Sequence, residues 1–395
     1  ILFGHHYTSI AGTGPIVGPA IGIIWGWLPA LIWVVFGSIF MGAVHDLGSI
    51  VVSMRNDGRS IGDIAGSLIS RRVRIVFLLI IALLIWIVIA VFCLVIATLF
   101  DLYPQSVLSI WLEIPIALWL GHMIYKRHKP SLPYSLVGLV LLYAAIYVGT
   151  LMPLKMPSLG PLNPVVLWTL LLLVYCYIAS TLPVTRLLQP RDYINSFQLY
   201  FALLTMFAGL MVAWILGAPE NRIEAAMVRG DVPDAPPIFP FLFVTIACGA
   251  VSGFHSLVSS GTTVKQLNRE TDALPIGYGA MLVEAALAVL VILACAAGLG
   301  AKYWGPGGTY STWSGIQGGG SGGGLAVQLS AVVHGGANFL AQLGIPRAYG
   351  RTFLAVTIVA FALTTLDSAT RLLRYNVQEF GRALRIRALM NRYLA

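Results

Sequence analysis

Residues 75–100 form a run of 26 residues without a charged side chain. About 20 apolar residues in a helix are enough to cross a bilayer, so this run alone predicts a transmembrane helix. The rest of the chain is similar, since 58% of its 395 residues are hydrophobic and only 10% are charged. Soluble domains carry about a quarter charged residues. The apolar stretches recur along the whole length, so a signal peptide does not explain them, and the sequence predicts an all-α polytopic membrane protein.

Hydropathy predicts about eleven membrane segments in a single domain over residues 1–395. Two of them, 4–26 and 238–264, are interrupted by glycine, proline and hydroxyl residues and are expected to be broken helices. The other nine are expected at 28–53, 75–100, 105–125, 134–152, 164–185, 194–217, 275–300, 324–344 and 352–372. Both ends of the chain lie in sequence typical of membrane helices, so we expect it to be truncated at both ends.

The formal net charge of +9 would suggest a nucleic-acid partner in a soluble domain. Here the basic residues cluster in alternate connections between the apolar segments, as the positive-inside rule predicts for cytoplasmic loops. The charge therefore indicates topology in a lipid bilayer, and we expect no nucleic-acid partner. The clusters are Arg55, Arg59, Arg71, Arg72 and Arg74; Lys126, Arg127 and Lys129; Arg186 and Arg191; Lys265 and Arg269; and Arg347 and Arg351.

Two polar, glycine-containing patches lie 249 residues apart, one in each interrupted segment. The first begins at Gly4 and reads GHHYTSIAGT; the second begins at Gly253 and reads GFHSLVSSGT. Aligned without gaps, they share four identities, which chance could also produce in a chain rich in Gly, Ser and Thr. Interrupted segments at corresponding places in two halves are typical of inverted-repeat transporters, whose central site they form. The pattern therefore predicts an inverted-repeat transporter with broken helices.

Unwound backbone exposes N–H groups at the start of a half-helix, and these groups favour a substrate carboxylate. Hydroxyl side chains can supplement them, although serine and threonine also bond back to their own helix. The alternative for the glycines is close packing between helices. We expect the substrate-binding residues to be His5, His6, Thr8, Ser9, Gly12, Thr13, Ser252, His255, Ser256, Ser259, Ser260, Thr262 and Thr263.

Three intramembrane carboxyl groups are the candidates for proton coupling: Asp46, Glu284 and Asp367. A bare charge in the bilayer is costly, so each must be protonated, paired or exposed to water. A structural ion pair is the alternative for two of them, between Asp46 and Arg55 and between Asp367 and Arg371 at the i+4 position.

The histidines allow three interpretations: proton carriers or carboxylate donors, buried histidines with satisfied hydrogen bonds, or metal ligands. A zinc-dependent intramembrane hydrolase would use His5, His6, His45, Asp46 and His255, but the chain has no His-Glu-x-x-His motif. A channel is a further alternative, although no ring of like polar groups is evident. The four cysteines have no zinc-site spacing and are interpreted as small buried hydrophobes. We predict no bound metal and no cofactor.

Long strings from one end of the chain to the other resemble the carbon starvation protein A (CstA) family. They include FGHH at residues 3–6, AGTGPIVGP at 11–19, GAVHD at 42–46, RNDGRSIG at 55–62, QPRDY at 189–193, FPFLF at 239–243, IACGAVSGFHSLVSSGTT at 246–263, GYGAM at 277–281 and LTTLDSATR at 363–371. The resemblance implies a bacterial inner-membrane secondary transporter that takes up peptides or pyruvate with protons during carbon starvation. It also implies the fold of the amino acid–polyamine–organocation superfamily, with inverted repeats.

Overall fold

The structure is a computed structural model that describes residues 1–218, 221–318 and 323–395, and over these residues the chain is helical without a β-strand. Several helices are joined by single π or 3₁₀ turns. In chain order the helices are α1 Leu2–Ile10, α2 Gly14–Gly22, α3 Trp27–Gly37, α4 Ala43–Arg55, α5 Ile61–Leu68, α6 Arg71–Leu102, α7 Gln105–Gly121, α8 Ser131–Leu151, α9 Pro164–Thr181, α10 Leu188–Ile215, α11 Ile238–Thr245, α12 Ala247–Ala250, α13 Gly253–Val258, α14 Ala280–Ala297, α15 Ala301–Trp304, α16 Trp313–Gln317, α17 Gly323–Gln342 and α18 Arg347–Leu384.

Nine helices among the described residues are long and apolar enough to cross a membrane, which makes this a multi-pass membrane protein. A tenth candidate is the pair α1 and α2, bent by 41° at the break between them. Each of the nine overlaps one of the continuous segments expected from hydropathy. The second interrupted segment, residues 238–266, consists of the short helices α11, α12 and α13 followed by a π turn and a 3₁₀ turn.

Local sequence explains where several helices begin. Ser70 accepts a hydrogen bond from the amide of Val73 at the start of α6, and Asn163 accepts one from Val166 at the start of α9. These side chains satisfy amide groups that have no partner in the first turn of a helix. The helix α18 is longer than predicted, because 38 residues span about 57 Å at about 1.5 Å each. It therefore exceeds the ~30 Å apolar core of a bilayer and extends beyond the predicted limits of 352 and 372.

The first interrupted segment, residues 2–25, unwinds at Ala11–Thr13. The amide of Gly12 turns back to the carbonyl of Ile10, so the carbonyl of Thr8 loses its helical partner. The hydroxyls of Thr364 and Thr365 on α18 donate to that carbonyl at 3.1 and 3.4 Å. The unwound turn is thus held by the central helix α18, whose most apolar window is fully buried.

Glycines bring the two interrupted segments into close contact. A Cβ atom at Gly18 would lie 2.5 Å from the carbonyl oxygen of Thr245, and one at Gly14 would lie 2.4 Å from Cβ of Cys248. Real Cβ atoms essentially never come this close, so only glycine allows α2 to pack here. The packing alternative therefore holds for these two glycines, and it is what positions the polar patches next to each other.

Candidate functional site

The two polar patches meet through a hydrogen bond between buried side chains. Nδ1 of His6 on α1 and the hydroxyl of Thr263 lie 2.8 Å apart. Thr263 ends a π turn, Ser259–Thr263, that follows α13. Such turns are frequent at functional sites because they displace the helix and leave groups free to bind. In this turn the buried hydroxyl of Ser259 has no hydrogen-bond partner, and neither has Nε2 of His6.

Three buried side chains from separate elements form a chain that we call the His255 triad: Asp46 on α4, His255 on α13 and Glu284 on α14. Nδ1 of His255 donates to Oδ2 of Asp46 at 2.7 Å, while Nε2 lies 3.2 Å from Oε2 of Glu284. All three side chains are fully buried. The second oxygen of Asp46 accepts from the neighbouring His45 at 3.0 Å.

The gap between His255 and Glu284 needs a positive charge. Because Nδ1 carries the hydrogen donated to Asp46, Nε2 of a neutral ring presents a lone pair. A carboxylate oxygen of Glu284 faces it and presents another. The two atoms can lie 3.2 Å apart only when a proton or another cation sits between them.

A second set of buried charges, the Arg191 network, joins Arg191, Tyr175, Glu113, Asn195 and Asp367. The guanidinium of Arg191 contacts Asp367 at 2.9 Å and donates to the hydroxyl of Tyr175 at 2.5 Å. Tyr175 in turn donates to Asp367 at 2.9 Å, and Asn195 donates to Glu113 at 2.8 Å. Glu113 lies 3.7 Å from Nε of Arg191. Pairing of this kind is what allows such charges to remain buried.

His5 and Ser9 on α1 contact residues next to members of the Arg191 network, namely Asp192 and Ser368. Nδ1 of His5 donates to Asp192 at 2.5 Å. The hydroxyl of Ser9 lies 3.5 Å from the same carboxylate and 3.1 Å from the hydroxyl of Ser368. The adjacent histidines His5 and His6 therefore contact different partners, and α1 packs against helices that carry both charged clusters, α10 and α18 on the one hand and α13 and α14 on the other.

The other candidate residues divide into those that face a neighbouring element and those that bond within their own helix. Gly12 packs against Phe92, which a Cβ would approach to 2.5 Å. The hydroxyl of Ser260 lies 3.4 Å from the amide of Ile61. The hydroxyls of Thr8, Ser256 and Thr262 donate to carbonyls of their own helix. Thr13 and Ser252 are buried at the two breaks.

Neither of the two ion pairs left open as alternatives forms among the described residues, and one assignment of a basic residue is wrong. Asp367 pairs with Arg191 instead of Arg371, whose guanidinium donates to the carbonyls of Leu182 and Ala179. Asp46 pairs with His255 and His45 instead of Arg55. The pairing of Asp367 with Arg371 was suggested only by their i+4 spacing in one helix. In the structure, contacts with other helices take its place.

Arg191 is the wrongly assigned residue, because it was expected in a cytoplasmic basic cluster and is fully buried. Hydropathy predicts that the membrane segment 194–217 begins at residue 194, which leaves Arg191 and Asp192 in the preceding connection. The helix instead begins at Leu188 and carries both side chains into the bundle. The long family-like string QPRDY was the only signal in the sequence that pointed to these two residues.

Metal-ligand geometry occurs at a place that the sequence did not indicate. Within the described residues, one group of three potential ligands has its atoms within 4.8 Å of one another: Cys248, His255 and Glu284. The five residues of the hydrolase alternative form no single cluster among the described residues: His45 and His255 both contact Asp46, whereas His5 contacts Asp192 and His6 contacts Thr263. Cys248, interpreted as a buried hydrophobe, lies 3.7 Å from Glu284 through its thiol.

The family model described as "Carbon starvation protein CstA" matches residues 1–304. The chain is 32% identical to the peptide transporter CstA of Bacillus subtilis, over 96% of this chain and 66% of that protein. It is 36% identical to the peptide transporter CstA of Campylobacter jejuni, over 74% of this chain and 42% of that protein. It is 37% identical to the pyruvate/proton symporter BtsT of Escherichia coli, over 74% of this chain and 41% of that protein.

The chain thus spans between about two fifths and two thirds of the length of these relatives. No solved structure matches the chain.

Proposed function

The chain belongs to the carbon starvation protein CstA family, and on that premise we propose that it takes up a small carboxylated nutrient, a peptide or pyruvate, together with protons. Relatives named as a peptide transporter and as a pyruvate/proton symporter support this class of substrate and this coupling ion. We place the protein in the bacterial inner membrane as a secondary active transporter that works by alternating access. It is not an enzyme.

The observation that carries the proposal is the meeting of the two interrupted segments at buried, partly unpaired polar groups. His6 and Thr263 join the segments, and within the described residues Nε2 of His6 and the hydroxyl of Ser259 have no hydrogen-bond partner. When the hydroxyl of Thr263 donates to Nδ1 of His6, Nε2 carries a hydrogen and can donate. A substrate carboxylate accepts from both, with the remaining patch residues as its surroundings. Discontinuous helices at such a site also support an inverted-repeat fold of the amino acid–polyamine–organocation type.

The His255 triad is the proposed proton site. With one added proton held between His255 and Glu284, in addition to the Nδ1 hydrogen bonded to Asp46, the triad has a net charge of −1. A second proton makes it neutral and removes the repulsion between two carboxylates that α4 and α14 hold on either side of α13. Since α13 belongs to a broken segment, the proton binds differently when α13 moves, and such differential binding is what coupling requires.

Asp367 has a different proposed role from the other two coupling candidates. Its carboxylate is held by Arg191 and Tyr175, so it is a partner of a fixed cation. It contributes to coupling when movement of α1 or α10 separates it from Arg191, because the freed carboxylate must then bind a proton or be exposed to water.

The test is uptake by the purified protein in liposomes with an inwardly directed proton gradient. Labelled pyruvate and labelled di- and tripeptides are assayed in parallel. We expect saturable accumulation of one class that a protonophore abolishes. Non-saturating flux would indicate a channel, and no flux of any of these compounds through folded protein would overturn the assigned substrates.

A further inference from the structure

Three different potential metal ligands face one another at the second interrupted segment. The thiol of Cys248 lies 3.7 Å from Oε1 of Glu284, and Nε2 of His255 lies 3.2 Å from its Oε2. The residues come from α12, α13 and α14. Two unlike donors thus approach the two oxygens of a single carboxylate, and all the ligand atoms lie within 4.8 Å of one another.

The unpaired atoms of this group point to a ligand. Nε2 of His255 and Oε2 of Glu284 are buried without a hydrogen-bond partner. Asp46 accepts the hydrogen of Nδ1, which fixes the tautomer whose Nε2 lone pair faces the other two residues. A carboxylate behind a histidine in this way is the usual support of a metal-bound imidazole.

The donor set favours Zn²⁺. A thiolate, an imidazole and a carboxylate are its usual ligands, whereas Mg²⁺ and Ca²⁺ prefer oxygen atoms alone. Neighbouring ligands of a tetrahedral zinc ion lie about 3.4–3.7 Å apart, from bond lengths of about 2.0–2.3 Å. The distances of 3.2 and 3.7 Å found here, each to one oxygen of Glu284, are close to that range, and the three ligand atoms lie within 4.8 Å of one another.

Cys248 is the most exposed of the three ligands, since His255 and Glu284 are fully buried. The glycine at position 14 leaves space for the side chain of Cys248, because a Cβ on Gly14 would lie 2.5 Å from the thiol sulfur.

We propose that Cys248, His255 and Glu284 bind one Zn²⁺ ion, and that Zn²⁺ inhibits the protein by occupying the gap between His255 and Glu284. The binding of zinc stands on the geometry alone. Inhibition rests on the proposed function, because alternating access requires the broken segment to move. A bound divalent ion links α12, α13 and α14 and holds the broken segment in one position.

The binding test uses the purified protein in lipid nanodiscs and titration calorimetry with Zn²⁺. We expect one ion per chain for the unaltered protein, and at least a hundredfold weaker binding for Cys248→Ser and for Glu284→Gln. Cys295→Ser is the matched control, since it makes the same change at another buried thiol, on α14. Its affinity is expected to stay within twofold. Equal binding by Cys248→Ser and Cys295→Ser, or no stoichiometric binding, would overturn the site.

Cobalt provides a second measurement that does not depend on transport. Co²⁺ bound by a thiolate gives a sulfur-to-metal charge-transfer absorption, which we expect in the unaltered protein and in Cys295→Ser but not in Cys248→Ser. Should Zn²⁺ bind without slowing uptake, the site stands and its inhibitory role fails. Should the protein carry none of the tested substrates, the binding and absorption measurements still decide whether the site exists.

Discussion

At the scale of single residues, the buried charges fall into two groups with different properties. In the Arg191 network, a permanent cation faces two carboxylates and two neutral donors. In the His255 triad, the only basic group is an imidazole, whose charge depends on whether it carries one or two protons. The first group is suited to holding helices together, and the second is suited to binding and releasing a proton.

Replacing Glu284 by glutamine tests the triad. The amide keeps the size of the side chain, donates a hydrogen to Nε2 of His255 and imitates the proton-loaded state. We expect accumulation driven by a proton gradient to fall at least tenfold, while exchange of labelled for unlabelled substrate stays within threefold. Glu224→Gln, at an exposed position, is the control and should change neither rate. Loss of exchange together with accumulation in a folded Glu284→Gln protein would contradict a coupling role.

Removing Arg191 tests the second network. Arg191→Ala leaves the carboxylates of Asp367 and Glu113 buried without their cation, which costs about 3–5 kcal/mol. We expect a much lower Tm in detergent than for Arg186→Ala, which truncates an exposed arginine five residues away. Adding Asp367→Asn to Arg191→Ala should restore part of the loss, and a Tm unchanged in the single variant would refute the pairing.

At the scale of elements, the helices break where glycine and proline remove hydrogen bonds or side chains, and other elements then replace the lost contacts. The turn at Ala11–Thr13 is held by the hydroxyls of Thr364 and Thr365. The second break follows α12 and leads into α13 and its π turn. Each break exposes polar groups and also provides the close packing that brings the two segments together.

A substitution at Gly18 tests this packing. The change Gly18→Ala would place a Cβ 2.5 Å from a backbone carbonyl on the other interrupted segment, and overpacking of this kind costs about 1–3 kcal/mol. We expect a lower Tm and weaker uptake. Gly48→Ala is the matched control, because no described atom outside its own helix backbone lies within 4 Å of where the added Cβ would be. Alanine has a higher helix propensity than glycine, so the stability of α4 should stay the same or rise. Equal behaviour of the two variants would contradict the close approach.

The contact between the two patches is tested with a pair of adjacent threonines. Thr263→Val removes the hydroxyl that His6 contacts, whereas Thr262→Val removes one that bonds only to the carbonyl of Val258 in its own helix. We expect Thr263→Val to raise KM for uptake about tenfold, because His6 loses the partner that orients it. Thr262→Val should raise KM by a smaller factor, because its hydroxyl bonds within its own helix and does not orient His6. The reverse order would show that the His6 contact does not position the site.

Much of the helical pattern was predictable from the sequence, because long uncharged runs such as 75–100 have few alternatives in a membrane protein. The break near Gly12 was predictable for a similar reason. Which buried charges pair with each other was not predictable, since Asp46 bonds to His255, 209 positions further along the chain. Hydropathy also misled at Arg191, because it counts a paired, buried arginine as a loop residue. Local sequence says little about which buried charges will meet.

At the scale of the whole molecule, α18 packs at the centre and contacts the first interrupted segment, while α13 and α14 hold the triad at the second. The second interrupted segment can therefore shift relative to α18 without opening the Arg191 network, whereas the first is bonded to α18 through Thr364 and Thr365. That arrangement separates a part that holds the bundle together from a part that moves with proton and substrate. The proposed mechanism requires that the proton and the substrate cross the membrane together.

The most direct measurement follows the proton itself. Liposomes containing the purified protein and a trapped pH-sensitive dye receive pyruvate or a dipeptide outside, with no imposed pH gradient. We predict that one of these substrates acidifies the interior with the unaltered protein and fails to do so with Glu284→Gln, although labelled substrate still exchanges. Entry of labelled substrate into protein-containing vesicles without any acidification would contradict proton coupling.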